Sequence, residues 1–218
     1  VTFEAEAAEL SPVGDAFTRA WDCDAHMLCY LPEPLTSPVY RWNLEALAEH
    51  AKQAGQMYFH LLCVEMDTPG HQPWTVDLWE MYQSIYEPLQ AAQDDFGALL
   101  RSALAYYSTR GGVRWVFQLE PPVAVIGGDA DAVVWGVGDL FRARGIPADE
   151  KSDVWNRAFR LPRVMRDGAR TEDGPFFFCE TRTGSRTPSA SLPRGKGRPK
   201  KALGEAWLRP EQRPDARG

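Results

Sequence analysis

The sequence predicts a two-layer domain of the α+β or α/β kind, with helices packed on a sheet. Three observations carry that expectation. Apolar, β-rich runs over 58–67 and 113–119 alternate along the chain with segments at helical spacing over 76–105 and 129–144. Hydrophobic residues make up 44% of the 218 and charged residues 25%, which supplies a sizeable core beneath a charged surface. No apolar run reaches the roughly 18 residues that a membrane-crossing helix needs, so no membrane partner is expected.

Taken in order, the first 40 residues show no clean period, and Pro32-Glu33-Pro34 interrupts them. Val1 to Glu4 has neither the basic start nor the apolar stretch of a secretory signal, and an opening without Met predicts processing or excision. Cys23, His26 and Cys29 are ligand types three apart. With no fourth ligand and no glycine turn, they fit a buried pattern better than a zinc site. Cys63 and Cys179 fall in apolar stretches and are expected as reduced core residues of a disulfide-free, cytoplasmic protein. Trp42 to Gln53 is predicted as a helix, with Leu44, Leu47, Ala48 and Ala51 on one face and Gly55 as its stop.

Tyr58 to Asp67 is predicted as a strand, and Thr68 to Pro73 as a loop. A helical region is predicted from Val76 to Ala105, kinked or divided at Pro88. Trp79, Met81, Tyr82, Ile85 and Tyr86 supply the buried face of its first half, and Leu99, Leu100, Ala103 and Leu104 that of its second. Tyr106 to Leu119 reads as a hairpin around Gly111-Gly112, and Pro121-Pro122 is expected to end it. Arg114, Val116 and Gln118 share one face of its second strand, opposite Val113, Trp115, Phe117 and Leu119. Asp129 is the expected N-cap of a helix running to Arg144, with Gly145 as the stop. A polar segment follows at 151–163, and a short strand is expected over Pro175 to Glu180. From Thr181 the chain is rich in Ser, Pro, Gly, Arg and Lys. The predicted organisation is therefore one folded domain over 1–180 and a disordered tail or linker over 181–218, with Ala206-Trp207-Leu208 as a short docking element.

The formal net charge of −6 is unevenly spread. From Arg182 onward there are ten Lys and Arg against three Asp and Glu; before it there are fourteen against twenty-seven. So acidic a body argues against broad, tight, non-specific duplex binding, which depends on many cationic contacts to phosphate. A local basic groove remains compatible with it.

The chemistry concentrates where the first strand ends. The period of two places Glu65 and Asp67 on one face of it. Adjacent carboxylates repel unless a cation neutralises them, and hard oxygen ligands suit Mg²⁺ or Mn²⁺. The plainer alternative is that the acids mark the point where a buried strand meets solvent. Asp153 is a candidate third ligand. Arg110, Arg114, Arg157 and Arg160 lie in segments able to approach the acids and to cradle a triphosphate through forked hydrogen bonds. Gly111-Gly112 would let the backbone come close to a phosphate or a base. Metal and triphosphate together describe nucleotidyl transfer.

Three motifs in this order carry a family resemblance. They are Leu62-Cys63-Val64-Glu65-Met66-Asp67, then Ser108-Thr109-Arg110-Gly111-Gly112-Val113-Arg114-Trp115, then Asp153 followed by Arg157-Ala158-Phe159-Arg160-Leu161-Pro162. Over roughly residues 40 to 180 the chain resembles the archaeo-eukaryotic primase superfamily, and within it the primase-polymerases of phage and plasmid replication. The resemblance implies an α+β catalytic core, an RRM-like antiparallel sheet packed against a smaller N-terminal α/β unit. It implies primer synthesis or template-directed extension from nucleoside triphosphates on single-stranded DNA. It makes Glu65, Asp67 and Asp153 the catalytic ligands of Mg²⁺ or Mn²⁺, and Ser108, Arg110, Arg114, Arg157 and Arg160 nucleotide contacts. A replicative helicase, fused or separate, is the implied partner. The sequence departs from the family pattern at Glu65, where Asp is usual, at Arg114, where His is usual, and at Arg163, where Gly commonly follows the Pro. It has no evident zinc element and no phosphate-binding loop of the helicase type. Two other readings fit some of the same residues: a metal-dependent nuclease, and a non-catalytic DNA-binding module on a decayed primase fold.

Overall fold

The computed structural model describes residues 15–32, 57–125, 128–150, 154–155 and 157–196. In chain order its elements are helix α1 (Asp15–Thr18), strands β1 (His26–Leu28), β2 (Tyr30–Pro32) and β3 (Met57–Asp67), helices α2 (Val76–Ala91) and α3 (Asp95–Arg101), the hairpin β4 (Ala105–Thr109) and β5 (Gly112–Ala124), helix α4 (Asp129–Ala143), and short strands β6 (Ala158–Arg160), β7 (Met165–Arg166), β8 (Ala169–Arg170), β9 (Cys179–Thr181) and β10 (Thr187–Pro188). The main sheet runs β2-β3-β5-β4-β9 through antiparallel pairs, and β10 joins β5 in parallel. The fold is α+β. Among the described residues no helix is long and apolar enough to cross a membrane.

Alternation sorts the two faces of the sheet. On one, Trp115 and Phe117 meet Phe141 of α4 at ring-centroid distances of 5.2 and 6.3 Å. Tyr86 of α2 lies 5.6 Å from Trp115, and Phe96 of α3 stands edge-on to Phe141 at 5.1 Å. All of these rings except the edges of Tyr86 are out of contact with water. Aromatic side chains of this size dominate core energetics, each burying about 150–250 Å². This helical layer leaves the other face to Cys63, Glu65, Asp67, Tyr107 and Arg114. The β3–β5–β4 register sets Glu65 opposite Arg114, and Arg114 opposite Tyr107.

The second face is covered by two stretches far apart in the chain, residues 21–28 and 158–165. β1 pairs with β6, and backbone bonds continue the lacing: Trp21 N–H donates to Arg163, Leu161 to Ala25 and Met165 to Cys23. Residues 15–32 thus join the same body as the main sheet. The rest of the expected N-terminal unit, including the helix over 42–53, lies outside the described residues.

Several local expectations are corrected. The helix from Val76 passes through Pro88 and stops at Ala91; the break comes from Asp94, whose carboxylate caps α3 by accepting from Gly97 N–H at 2.9 Å. Ala105 already belongs to β4. Met81 and Ile85 face solvent, and Tyr82 and Tyr86 carry the buried stripe. Pro121-Pro122 does not end β5. Phe59 pairs with Val123 but Leu61 with Gln118, so the residues between form a bulge where a missing N–H costs no ladder bond. Gly128, in the left-handed region, occupies the N-cap of α4, and Asp129 opens its first turn. The packed chain also continues beyond Thr181. Thr187 and Leu192 are buried, and Gly195 N–H donates to Ala132 of α4 at 2.8 Å. A stretch read as linker by composition is therefore an arm of the fold as far as Lys196, held by backbone pairing that composition does not encode. Residues 197–218, with the Ala206-Trp207-Leu208 element, lie outside the described residues.

Candidate metal and anion site

The site begins at the end of β3. Glu65 is 3% exposed and Asp67 is half-buried, both on the face opposite the helices. After Gly145 ends α4, the chain returns along the open edge of β3. Ala148 forms an antiparallel bridge with Met66, and Asp149 N–H donates to the Glu65 carbonyl at 2.8 Å. That return delivers a third carboxylate. One oxygen from each of Glu65, Asp67 and Asp149 lies within 4.8 Å of the others. Asp153, the expected third acid, lies outside the described residues. Asp149 was missed because nothing in its neighbourhood signals a strand: a single bridge has no periodicity.

The three acids are not equivalent. Glu65 Oε1 accepts from Arg114 Nε at 2.7 Å and also pairs with Arg114 Nη2, a forked contact between two buried groups. Glu65 Oε2 lies 3.4 Å from Arg157 Nη2, and Arg157 Nη1 lies 3.6 Å from Asp149 Oδ2. Asp67 Oδ2 is 3.0 Å from His71 Nδ1. Burial, and then the neighbouring Glu65 charge, raise the Asp67 carboxyl above its ordinary range, against the pull of His71. Carboxylate oxygens at this spacing form the hard donor set that Mg²⁺ and Mn²⁺ take, and the crowding that raises Asp67 is what a divalent cation would relieve.

Glu65 and Asp67 line a cleft of about 650 Å³. Its lining also carries Arg110, Arg160, Arg166 and Arg170, together with Phe176 and Phe177. Burial first, and then Arg160 and Arg110, lower Arg166 from the ordinary arginine value, while Asp167, 3.6 Å from its Nε, acts the other way; Arg170 pairs with Asp22 at 2.5 Å. Arg110 reaches only Asp167, at 3.6 Å, with both groups largely exposed. Arg160 is held in a forked pair by Asp24, at 2.5 and 3.0 Å, and Arg160 keeps the Asp24 carboxyl below its usual range.

The expected nucleotide contacts therefore divide. Arg110 and Arg160 line the cleft. Arg157 borders the acids. Arg114 also lines the cleft but is committed to Glu65 and to the Arg160 carbonyl, to which its Nη1 donates at 3.0 Å. Ser108 is buried, and its Oγ accepts from Phe178 N–H at 2.9 Å, tying the β4 edge to the loop that carries the phenylalanines. Gly111 and Gly112 are needed for packing inside the fold. A Cβ on Gly111 would collide with the Gln72 carbonyl, and one on Gly112 with the Met66 carbonyl and, at 2.9 Å, with Asp67 Oδ1.

Cys23, His26 and Cys29 do not form a metal group. Among the described residues the acidic trio is the one cluster with ligand geometry. All four cysteines are free, and burial pushes the Cys29 thiol up to about 12, away from the thiolate a metal would need.

No family model matches the chain, and no curated protein or solved structure matches it.

Proposed function

We propose that the protein is a metal-dependent nucleotidyltransferase of the primase-polymerase type. It would join a nucleoside triphosphate to a 3′-hydroxyl on a single-stranded DNA template. The observation that carries the reading is the convergence of Glu65, Asp67 and Asp149, the first two of which line a cleft that several arginines also line. An acidic trio beside a wall of arginines suits a ligand that brings a cation and a polyanion together. The motif resemblance agrees with it in order, and the antiparallel sheet carrying the acids agrees with it in kind.

In this reading a bound Mg²⁺ or Mn²⁺ supplies charge neutralisation at the reacting phosphate and acidifies the attacking hydroxyl. Glu65, Asp67 and Asp149 would hold it. The bond formed joins O3′ to the α-phosphorus; the bond broken releases pyrophosphate. Arg110 and Arg166 would hold the β- and γ-phosphates by charge-assisted hydrogen bonds, with Arg160 beside them. Phe176 and Phe177 would offer a stacking surface for a base of nucleotide or template. Arg114 holds the Glu65 carboxylate in place through its Nε and Nη2. Free thiols fit a reducing, cytoplasmic setting, and a replicative helicase remains the partner the resemblance suggests.

One observation favours a second reading, a non-catalytic DNA-binding module: both Glu65 oxygens already face guanidinium groups. Primer synthesis and extension on single-stranded templates with Mn²⁺ separate the two. The nucleotidyltransferase reading requires product from the wild type and none from Asp67→Asn/Asp149→Asn. Equal signals from both proteins exclude it. Template degradation without triphosphates points to a nuclease instead.

A further inference from the structure

Among the described residues Arg114 and Arg157 contact the acidic trio, and their circumstances differ. Arg114 is about 10% exposed, shares the β-ladder with Glu65, and is bonded to a backbone carbonyl as well. It cannot leave without breaking the sheet face. Arg157 is 37% exposed and reaches the acids from the entry to β6. Its two terminal nitrogens divide between Glu65 Oε2 at 3.4 Å and Asp149 Oδ2 at 3.6 Å. Its guanidinium thus bridges two of the three carboxylates that form the ligand group. The side chain also lies against the Phe159 ring, 5.5 Å from its centroid, with Arg114 at the same distance from that ring. The buried ring supports the aliphatic and planar parts of the arginine while its charged end stays wet.

We propose that Arg157 is a resident counter-cation that a divalent ion displaces, so that metal binding releases a guanidinium at the cleft edge for an anionic ligand. The inference rests on the metal-site reading given above and adds an exchange to it. Without a metal, three carboxylates this close repel one another, and Arg157 quenches two of them. A divalent ion competes for the same oxygens with twice the charge and direct coordination. Once displaced, the guanidinium is repelled by the ion and can turn toward the arginine-lined wall, where phosphate oxygens would accept from it. Metal and polyphosphate binding are then coupled through one positioning residue.

The test uses the whole chain and Mn²⁺ alone, with free ion counted by its paramagnetic resonance, without nucleotide. Arg157→Gln removes the competing charge. Two Coulomb interactions at about 5 Å exceed a tenfold effect even at the dielectric of bulk water, so Mn²⁺ should bind at least about tenfold more tightly than to wild type. Arg157→Lys, a point charge unable to fork across both acids, should fall between the two and carries the comparison if the Gln variant does not fold. Asp67→Asn in each background should abolish binding. Equal Mn²⁺ affinity in wild type, Arg157→Gln and Arg157→Lys, still abolished by Asp67→Asn, overturns the exchange and leaves the metal site standing. Absence of Mn²⁺ binding in every variant overturns both.

Discussion

Replacing Arg114 by Met tests how the site is held. Glu65 is 3% exposed and Arg114 10%, so the substitution leaves a carboxylate in the interior without its forked partner. With charge centres about 4 Å apart and an effective dielectric of about 20, the pair's attraction is about 4 kcal/mol. Removing one partner of a buried pair costs about 3–5 kcal/mol, because the remaining charge keeps its desolvation penalty. Arg157 faces Oε2, the other oxygen of Glu65, at 3.4 Å from a more exposed position and cannot replace the fork on Oε1. Arg114→Met should therefore lose about 3–5 kcal/mol in urea unfolding analysed by linear extrapolation. Glu65→Met/Arg114→Met, with both charges gone, should lie within about 1–2 kcal/mol of wild type. A cost below about 1 kcal/mol for the single variant, or a double variant whose cost is the sum of the two singles, would show that the pair is not the anchor proposed.

Three further outcomes follow from the same structure. Phe141→Ala removes the ring shared by Phe96, Trp115 and Phe117 and should cost about 3–5 kcal/mol by the same unfolding measurement. Gly112→Ala places a methyl against the Met66 carbonyl and Asp67 Oδ1; it should lose about 1–3 kcal/mol and weaken Mn²⁺ binding, since Asp67 must move. Asp67 is raised by burial first and by Glu65 next, so the native state keeps this proton where the unfolded chain has lost it. Its contribution to stability is complete below the unfolded pKa of 3.8 and is lost as the pH rises through the folded value. The stability of Asp67→Asn relative to wild type should accordingly climb across that window and then level off; a flat or falling difference in urea midpoints contradicts the shift.

Particular residues show what could be seen in the chain and what could not. β3 and β5 were legible because both faces repeat with a period of two, and Glu65 and Asp67 fell on one face as that period requires. The hairpin at Gly111 and the helix from Asp129 were legible from turn chemistry and helical spacing. The lacing of residues 21–28 against 158–165 was not. Its partners lie more than a hundred residues apart, and short strands carry almost no periodic signal. Asp149 was hidden for the same reason, since one bridge to Met66 puts it in place. Alternation names the face that carries Arg114 but not what covers it; here Phe159 and the Arg160 carbonyl lie against it. The arm from Arg182 to Lys196 looked like linker because its order comes from β5 and α4, not from its own composition.

The most direct measurement is a crystal structure with Mn²⁺ and a non-hydrolysable nucleoside triphosphate, read at the manganese absorption edge. The account predicts an anomalous peak among the carboxylates of Glu65, Asp67 and Asp149, at the distance of about 2.0–2.2 Å expected for a small divalent ion, with the triphosphate along Arg110 and Arg166. A bound nucleotide with no manganese at those three acids, or manganese elsewhere in the fold, would contradict it.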